Sequence, residues 1–138
     1  MTVANQDVGF DPANPVVLGD TILIAADVVT DNPSTLIGAQ SATYGIFEKD
    51  PTRNSGPALL SKTLGVGITM APVVVTDPDS PDLGKTAVRV TIRIDREEQY
   101  SASLTAPTDY YHELFTLSSD GLYSRDFTGR LRLTLGAL

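Results

Sequence analysis

The chain has 138 residues with 10 Lys+Arg against 17 Asp+Glu, a formal charge of −7, and is 41% hydrophobic and 20% charged, the composition of one globular domain. At this length folding removes roughly 70% of the unfolded chain's surface from water, so a core is expected without a disulfide, a metal or a bound cofactor. With no cysteine and a single histidine, His112, the chain cannot form a disulfide scaffold, a thiolate or multi-histidine metal site, or a cysteine nucleophile.

Residues 1–15 are polar, carry Pro12 and Pro15 and hold no sustained period. They read as an extended amino-terminal arm ahead of a single domain over 16–138. Two readings stand, a frayed tail or an arm that orders only against a partner through Val8 and Phe10. Residues 20–30 (DTILIAADVVT) put Ile22, Ile24, Ala26 and Val28 on one face and Leu23, Ala25 and Val29 on the other. This predicts a strand buried on most of both faces. Residues 36–48 alternate around Ala42, Tyr44 and Ile46 as a second strand, and 58–64 form a short third after the DPTRNSGP loop. Residues 67–76 resume extended structure, with Pro72 pushing that strand to an edge or a bulge.

DPDSPDLG at 77–84 is turn chemistry throughout. In residues 87–95, Val88, Val90, Ile92 and Ile94 face in while Arg89, Thr91, Arg93 and Asp95 face out, so one face is core and one is wet. Residues 96–104 hold one helical turn, too short to stand alone. Residues 110–116 alternate again, Ser119-Asp120-Gly121 makes a hairpin turn, and 122–127 lead through Thr128-Gly129 into 130–135. Seven or eight strands separated by turn signals predict an all-β fold, an antiparallel β-sandwich.

Residues 1–87 carry ten acids and four bases, whereas 88–138 carry seven acids and six bases. Neither part is basic, so the counterion-release term that drives nucleic-acid binding is repulsive overall. No apolar run approaches the roughly 20 residues that span a bilayer, and the amino terminus has neither a basic start nor an apolar segment, so no membrane partner is expected. Arg89, Arg93, Arg130 and Arg132 share strand faces. They read either as a solvated face or as bidentate partners for the carboxylates of a neighbouring subunit.

Catalytic motifs fail one by one. Gly84-Lys85-Thr86 ends like a phosphate loop, but Asp79 stands where that loop needs glycine and a strand follows where a helix is required. Three carboxylates in residues 77–82 lack the glycine and the six to eight oxygens of a calcium loop. His112 is without a flanking nucleophile motif and reads as a partly exposed strand histidine. No enzyme is expected.

Taken in order, Gly19-Asp20-Thr21, Leu36-Ile37-Gly38-Ala39, Tyr44, Lys62 before Gly67-Ile68-Thr69, the strand 88–94, Leu104, Tyr111 before Glu113-Leu114, Asp120-Gly121 and Gly129-Arg130-Leu131 form a recognisable series. Over residues 16–136 it resembles the N-terminal domain of phage baseplate upper proteins. The resemblance implies an immunoglobulin-like antiparallel β-sandwich of a virion appendage, with Tyr110 or Tyr111 serving as a tyrosine corner. Such domains continue into a fibre or receptor-side region, and this sequence ends at Leu138, which favours an anchoring or joining role.

The expectation is a bacteriophage virion structural protein of the tail, baseplate, neck or capsid-fibre apparatus, assembled in the host cytoplasm. Its partners are other virion proteins and copies of itself, a trimer being one such arrangement. Val8, Phe10, Arg89, Arg93, Arg130 and Arg132 are its candidate contacts. The alternative is a carbohydrate-binding or adhesin-type β-sandwich using Tyr100, Tyr110, Tyr111 and Tyr123.

Overall fold

The computed structural model describes residues 4–30, 33–54 and 56–136. Its strands are β1 (Ala4–Asn5), β2 (Ile22–Val29), β3 (Ser41–Phe47), β4 (Leu60–Leu64), β5 (Gly67–Val74), β6 (Thr86–Ile94), β7 (Thr108–Leu117) and β8 (Tyr123–Leu133). Two short helices, α1 (Pro33–Ile37) and α2 (Arg96–Ser101), complete an all-β domain. The strands form one sheet in the order β1-β8-β7-β3-β4-β5-β6-β2. Its ladder is mixed where the sequence suggests a wholly antiparallel one, because β1 runs parallel to β8 and β4 parallel to β5.

The second of these parallel pairings is where the sheet curls. Only Thr63↔Gly67 and Leu64↔Ile68 link β4 to β5, so the ladder passes through a narrow corner from β8-β7-β3-β4 to β5-β6-β2. Inward side chains from both halves, among them Ile24, Val90, Tyr44, Leu114, Phe127 and Leu131, belong to one buried cluster. A single sheet whose halves share a core is folded over on itself, nearly as a barrel.

Period two accounts for most of this burial. β6 buries Val88, Val90, Ile92 and Ile94 completely, each burial being worth about 1.5–3 kcal/mol. β2 alternates strictly between buried and exposed, and Leu23 is 65% exposed, so the strand is buried on one face rather than on both. Its outer residues, Leu23, Ala25 and Val29 together with Asp27, face away from the shared core. The segment 36–48 also divides. Pro33 opens α1 at the first helical position, where its missing N–H costs nothing, Leu36 is buried from that helix, and the strand begins only at Ser41. Pro72 lies beyond the last β4 partner of β5, on the sheet edge expected of it.

Two local devices fix the chain ends of these elements. The Asp95 N–H donates to Glu98 Oε2 (2.8 Å) at the start of α2, and the same Glu98 pairs with the buried Lys62 ammonium on β4. Gly67, at φ 92°, leaves room for that lysine, since a Cβ there would meet Lys62 Cε at 2.1 Å. At the other end of β7, the Thr105 N–H donates to the Tyr110 hydroxyl (2.9 Å), and Tyr110 is buried.

Candidate functional site

The amino-terminal arm lies along β8 of its own chain. Ala4 and Asn5 pair in parallel with Phe127 and Thr128, and Val8 bridges Leu131. The Gln6 N–H donates to Thr128 O (2.7 Å), the Val8 N–H to Arg130 O (2.8 Å), and the Arg132 N–H to Val8 O (2.9 Å). The chain then leaves the ladder and rejoins it at Val16–Leu18, where Thr134 donates to Val16 O (2.9 Å) and accepts from Leu18 N–H (3.0 Å). Of the two readings of residues 1–15, the described part from Ala4 onward is therefore ordered, and against the chain itself. Met1–Val3 lie outside the described residues.

Between Gln6 and Arg130 the regular ladder is broken. In a parallel pair the Arg130 N–H would meet Gln6 O, but it donates instead to Asp7 Oδ1 (2.8 Å). Gln6 O turns inward and accepts from His112 Nε2 (2.5 Å). Gly129, the cross-strand partner of His112, makes this geometry available. A Cβ on Gly129 would stand 2.1 Å from Gln6 O, so the absent side chain is the slot through which the arm reaches the core.

His112 is fully buried, not partly exposed as its setting in the sequence suggests. A carbonyl only accepts, so Nε2 carries the proton and Nδ1 accepts from the Tyr44 hydroxyl (2.9 Å). Tyr44 and Phe127 enclose the ring at centroid distances of 5.6 and 5.2 Å. Burial holds the imidazole below its ordinary value of 6.5, against the opposing pull of the Gln6 carbonyl bond and of Asp7. The chain Gln6–His112–Tyr44 thus ties the arm to the centre of the core.

Phe10 sits on the outside of the same strip, over two guanidinium groups at 4.6 Å (Arg130) and 4.3 Å (Arg132) from its ring centroid. Arg132 also grips Asp109 of β7 with two bonds (2.7 and 3.0 Å), and that bond holds the Asp109 carboxyl below its usual range. Arg130 approaches Asp7 at 3.7 Å. In the other half of the sheet Arg89 grips Asp27 with two bonds (2.9 and 3.1 Å), and Arg93 bonds Asp95 (2.9 Å). All four arginines thus have carboxylate partners within the chain. Val8, Phe10, Arg130 and Arg132 come together in one place, whereas Arg89 and Arg93 lie on β6, in the other half of the sheet.

The root of the arm is held separately. Buried Gln99 of α2 accepts from the Gly19 N–H (2.9 Å) and donates to Asp20 O (2.7 Å), a two-bond clasp where arm becomes β2. Gln6, Asp7, Gln99 and Gly129 were not candidates on sequence. The one available signal was a glycine inside an otherwise regular strand, Gly129.

No protein-family model matches the chain, and no curated protein is significantly similar to it. Among solved structures, AggA, the major subunit of aggregative adherence fimbriae type I from Escherichia coli, aligns over 97% of this chain and 92% of that one at 15% identity and a TM-score of 0.32. At that score the likeness transfers neither fold nor function.

Proposed function

We propose that this chain is a structural joining module of a bacteriophage virion, an immunoglobulin-like domain that works by assembly with other tail, neck, baseplate or capsid proteins and with copies of itself, without catalysis. The observation that carries the reading is the arm on β8, a short strand added to a sheet edge through main-chain hydrogen bonds. Strand addition is a general mode of protein–protein attachment, in which the backbone supplies affinity and the pockets beside it supply specificity. Two of the residues that carry the resemblance to phage baseplate domains support it further: Gly129 admits the arm, and Tyr44 anchors His112. Tyr110 closes onto Thr105 as a tyrosine corner does in immunoglobulin-like sandwiches.

Sugar binding needs a stacking platform. Tyr110 is buried, Tyr100 lies on α2, and Tyr111 and Tyr123 pair with Arg130 and Leu117, positions six residues apart along β7. The four tyrosines do not share a platform. The assembly reading is tested on purified particles. Mass spectrometry and cryo-EM are expected to find the chain there in a fixed copy number, and to find that number reduced when residues 1–15 are deleted. Particles that never contain the chain overturn the reading.

A further inference from the structure

The closed arm contains slack. Val8 pairs with Leu131 and Val17 with Thr134, so nine steps of the arm accompany three steps of β8. Three residues of strand cover about 10 Å, whereas the seven residues 9–15 reach about 23–25 Å when extended. The surplus is not folded into the sheet. It leaves the edge as a loop whose Asp11 accepts from the Ala13 N–H (2.9 Å) and from the Asn14 amide (3.1 Å), and whose Asp11 to Pro15 stretch is exposed. The Asn14 N–H also donates to Asp11 O (3.0 Å), closing a turn with Pro12 at its second position, and Pro15 follows it.

We propose that residues 4–10 are an exchangeable strand: with 11–15 as the hinge, the arm of one copy seats on β8 of a second copy of this chain. The occupant follows from the fit. Gln6 O needs the Gly129 slot and the His112 ring behind it, the Asp7 carboxylate bonds the Arg130 N–H, and Phe10 covers Arg130 and Arg132. An identical chain supplies all of these. The Gln99 clasp keeps Gly19 and Asp20 in place, so the hinge opens without disturbing β2. Closed and exchanged forms make the same strand contacts, so local concentration decides between them. A short tether gives the arm an effective concentration of about 1 mM on its own β8, so dilute chains stay closed. Copies held side by side in an assembly meet the opposite condition. Reciprocal exchange gives a two-fold dimer, and head-to-tail exchange gives a ring or a row. This inference rests on the reading of the chain as a module that assembles with its own kind, and names the segment that joins the copies.

The absence of cysteine makes the test direct. Asn5 and Thr128 are neighbours in the β1–β8 ladder, and strand neighbours stand within the Cα separation a disulfide spans. The full chain is prepared as two single variants, Asn5→Cys and Thr128→Cys, mixed under oxidising conditions from micromolar to about 1 mM, the tether's effective concentration. A bond between them above the level of random collision forms when one copy's arm lies on the other's β8. The expected result is a mixed dimer whose yield rises with concentration to several-fold above that of Asn5→Cys mixed with Ser61→Cys, Ser61 being exposed on β4. Yield equal to that control at every concentration overturns the exchange. The cross-link does not report virion incorporation, so its failure leaves the assembly reading to its own test.

Discussion

His112 has both ring nitrogens committed, Nε2–H to Gln6 O and Nδ1 to the Tyr44 hydroxyl, and it is the chain's one imidazole. A second proton would put a donor at Nδ1 against the Tyr44 hydroxyl and a charge among Tyr44 and Phe127, with Asp7 the nearby counter-charge. Burial accordingly holds the ring below 6.5, and the unfolded chain takes up the proton first as pH falls. Stability contributed by neutral His112 is therefore complete above 6.5 and is lost between 6.5 and the lower folded value, with a slope of at most about 1.4 kcal/mol per pH unit. NMR titration of this lone histidine is expected to show a neutral Nε2–H tautomer persisting below pH 6.5 in the intact chain. Removal of residues 1–8 takes away the Gln6 carbonyl that Nε2–H donates to, and is expected to shift the Nε2 resonance and speed exchange of its proton. Gly129→Ala tests the slot from the other side. Its Cβ would stand against Gln6 O, so the arm must shift and leave the His112 donor unpaired, a loss of about 1–3 kcal/mol in chemical denaturation. Because Gly129→Ala and removal of residues 1–8 delete the same contact, their costs are expected to fall well short of additive. Period-two alternation placed His112 on the face of Tyr110 and Leu114 and opposite Tyr111 and Phe115. Alternation alone does not say which face is inside, and only the shared core decides that it is the first.

At the scale of elements, α2 does more than cross between β6 and β7. Its Glu98 pairs with Lys62 of β4 while capping Asp95, and its Gln99 clasps Gly19 and Asp20, so six residues tie both halves of the sheet to the arm's root. Gln99 imitates a strand neighbour, offering one acceptor and one donor to two backbone groups. Gln99→Ala leaves both groups without that partner, and a cost of about 1–3 kcal/mol is expected, together with faster hydrogen exchange at the Gly19 amide. Unchanged exchange at Gly19 would show that the arm's root is held by something else. The helical turn of α2 was legible within residues 96–104. Its clasp was not, because it joins residues 80 apart and a glutamine has no positional signature. α1 was hidden for a related reason: Leu36 is apolar and buried, and an apolar residue three positions into a helix looks like one at the start of a strand.

At the scale of the whole molecule, the strands were legible and their partners were not. Alternation reports which residues face a core, and in β6 it does so residue by residue. It carries no information on the β4–β5 corner or on the parallel seat of the arm, both of which depend on contacts distant in sequence. The sheet ends at β1 and β2, and the arm is what covers the β8 edge. An uncovered edge is a template for another strand, so the arm also protects the monomer. Removal of residues 1–8 is therefore expected to produce concentration-dependent association of otherwise folded chains, seen by light scattering. A synthetic peptide of residues 1–15 added at about 1 mM, the effective concentration the tether provides, is expected to reverse it and to restore the buried His112 signal. Reversal by that peptide but not by one carrying Gln6→Pro would locate the effect in the main-chain bonds, since proline removes the N–H that reaches Thr128. Association that persists with the peptide bound would place the sticky surface elsewhere, with the open edge of β2 and its exposed Leu23 and Val29 the next to examine.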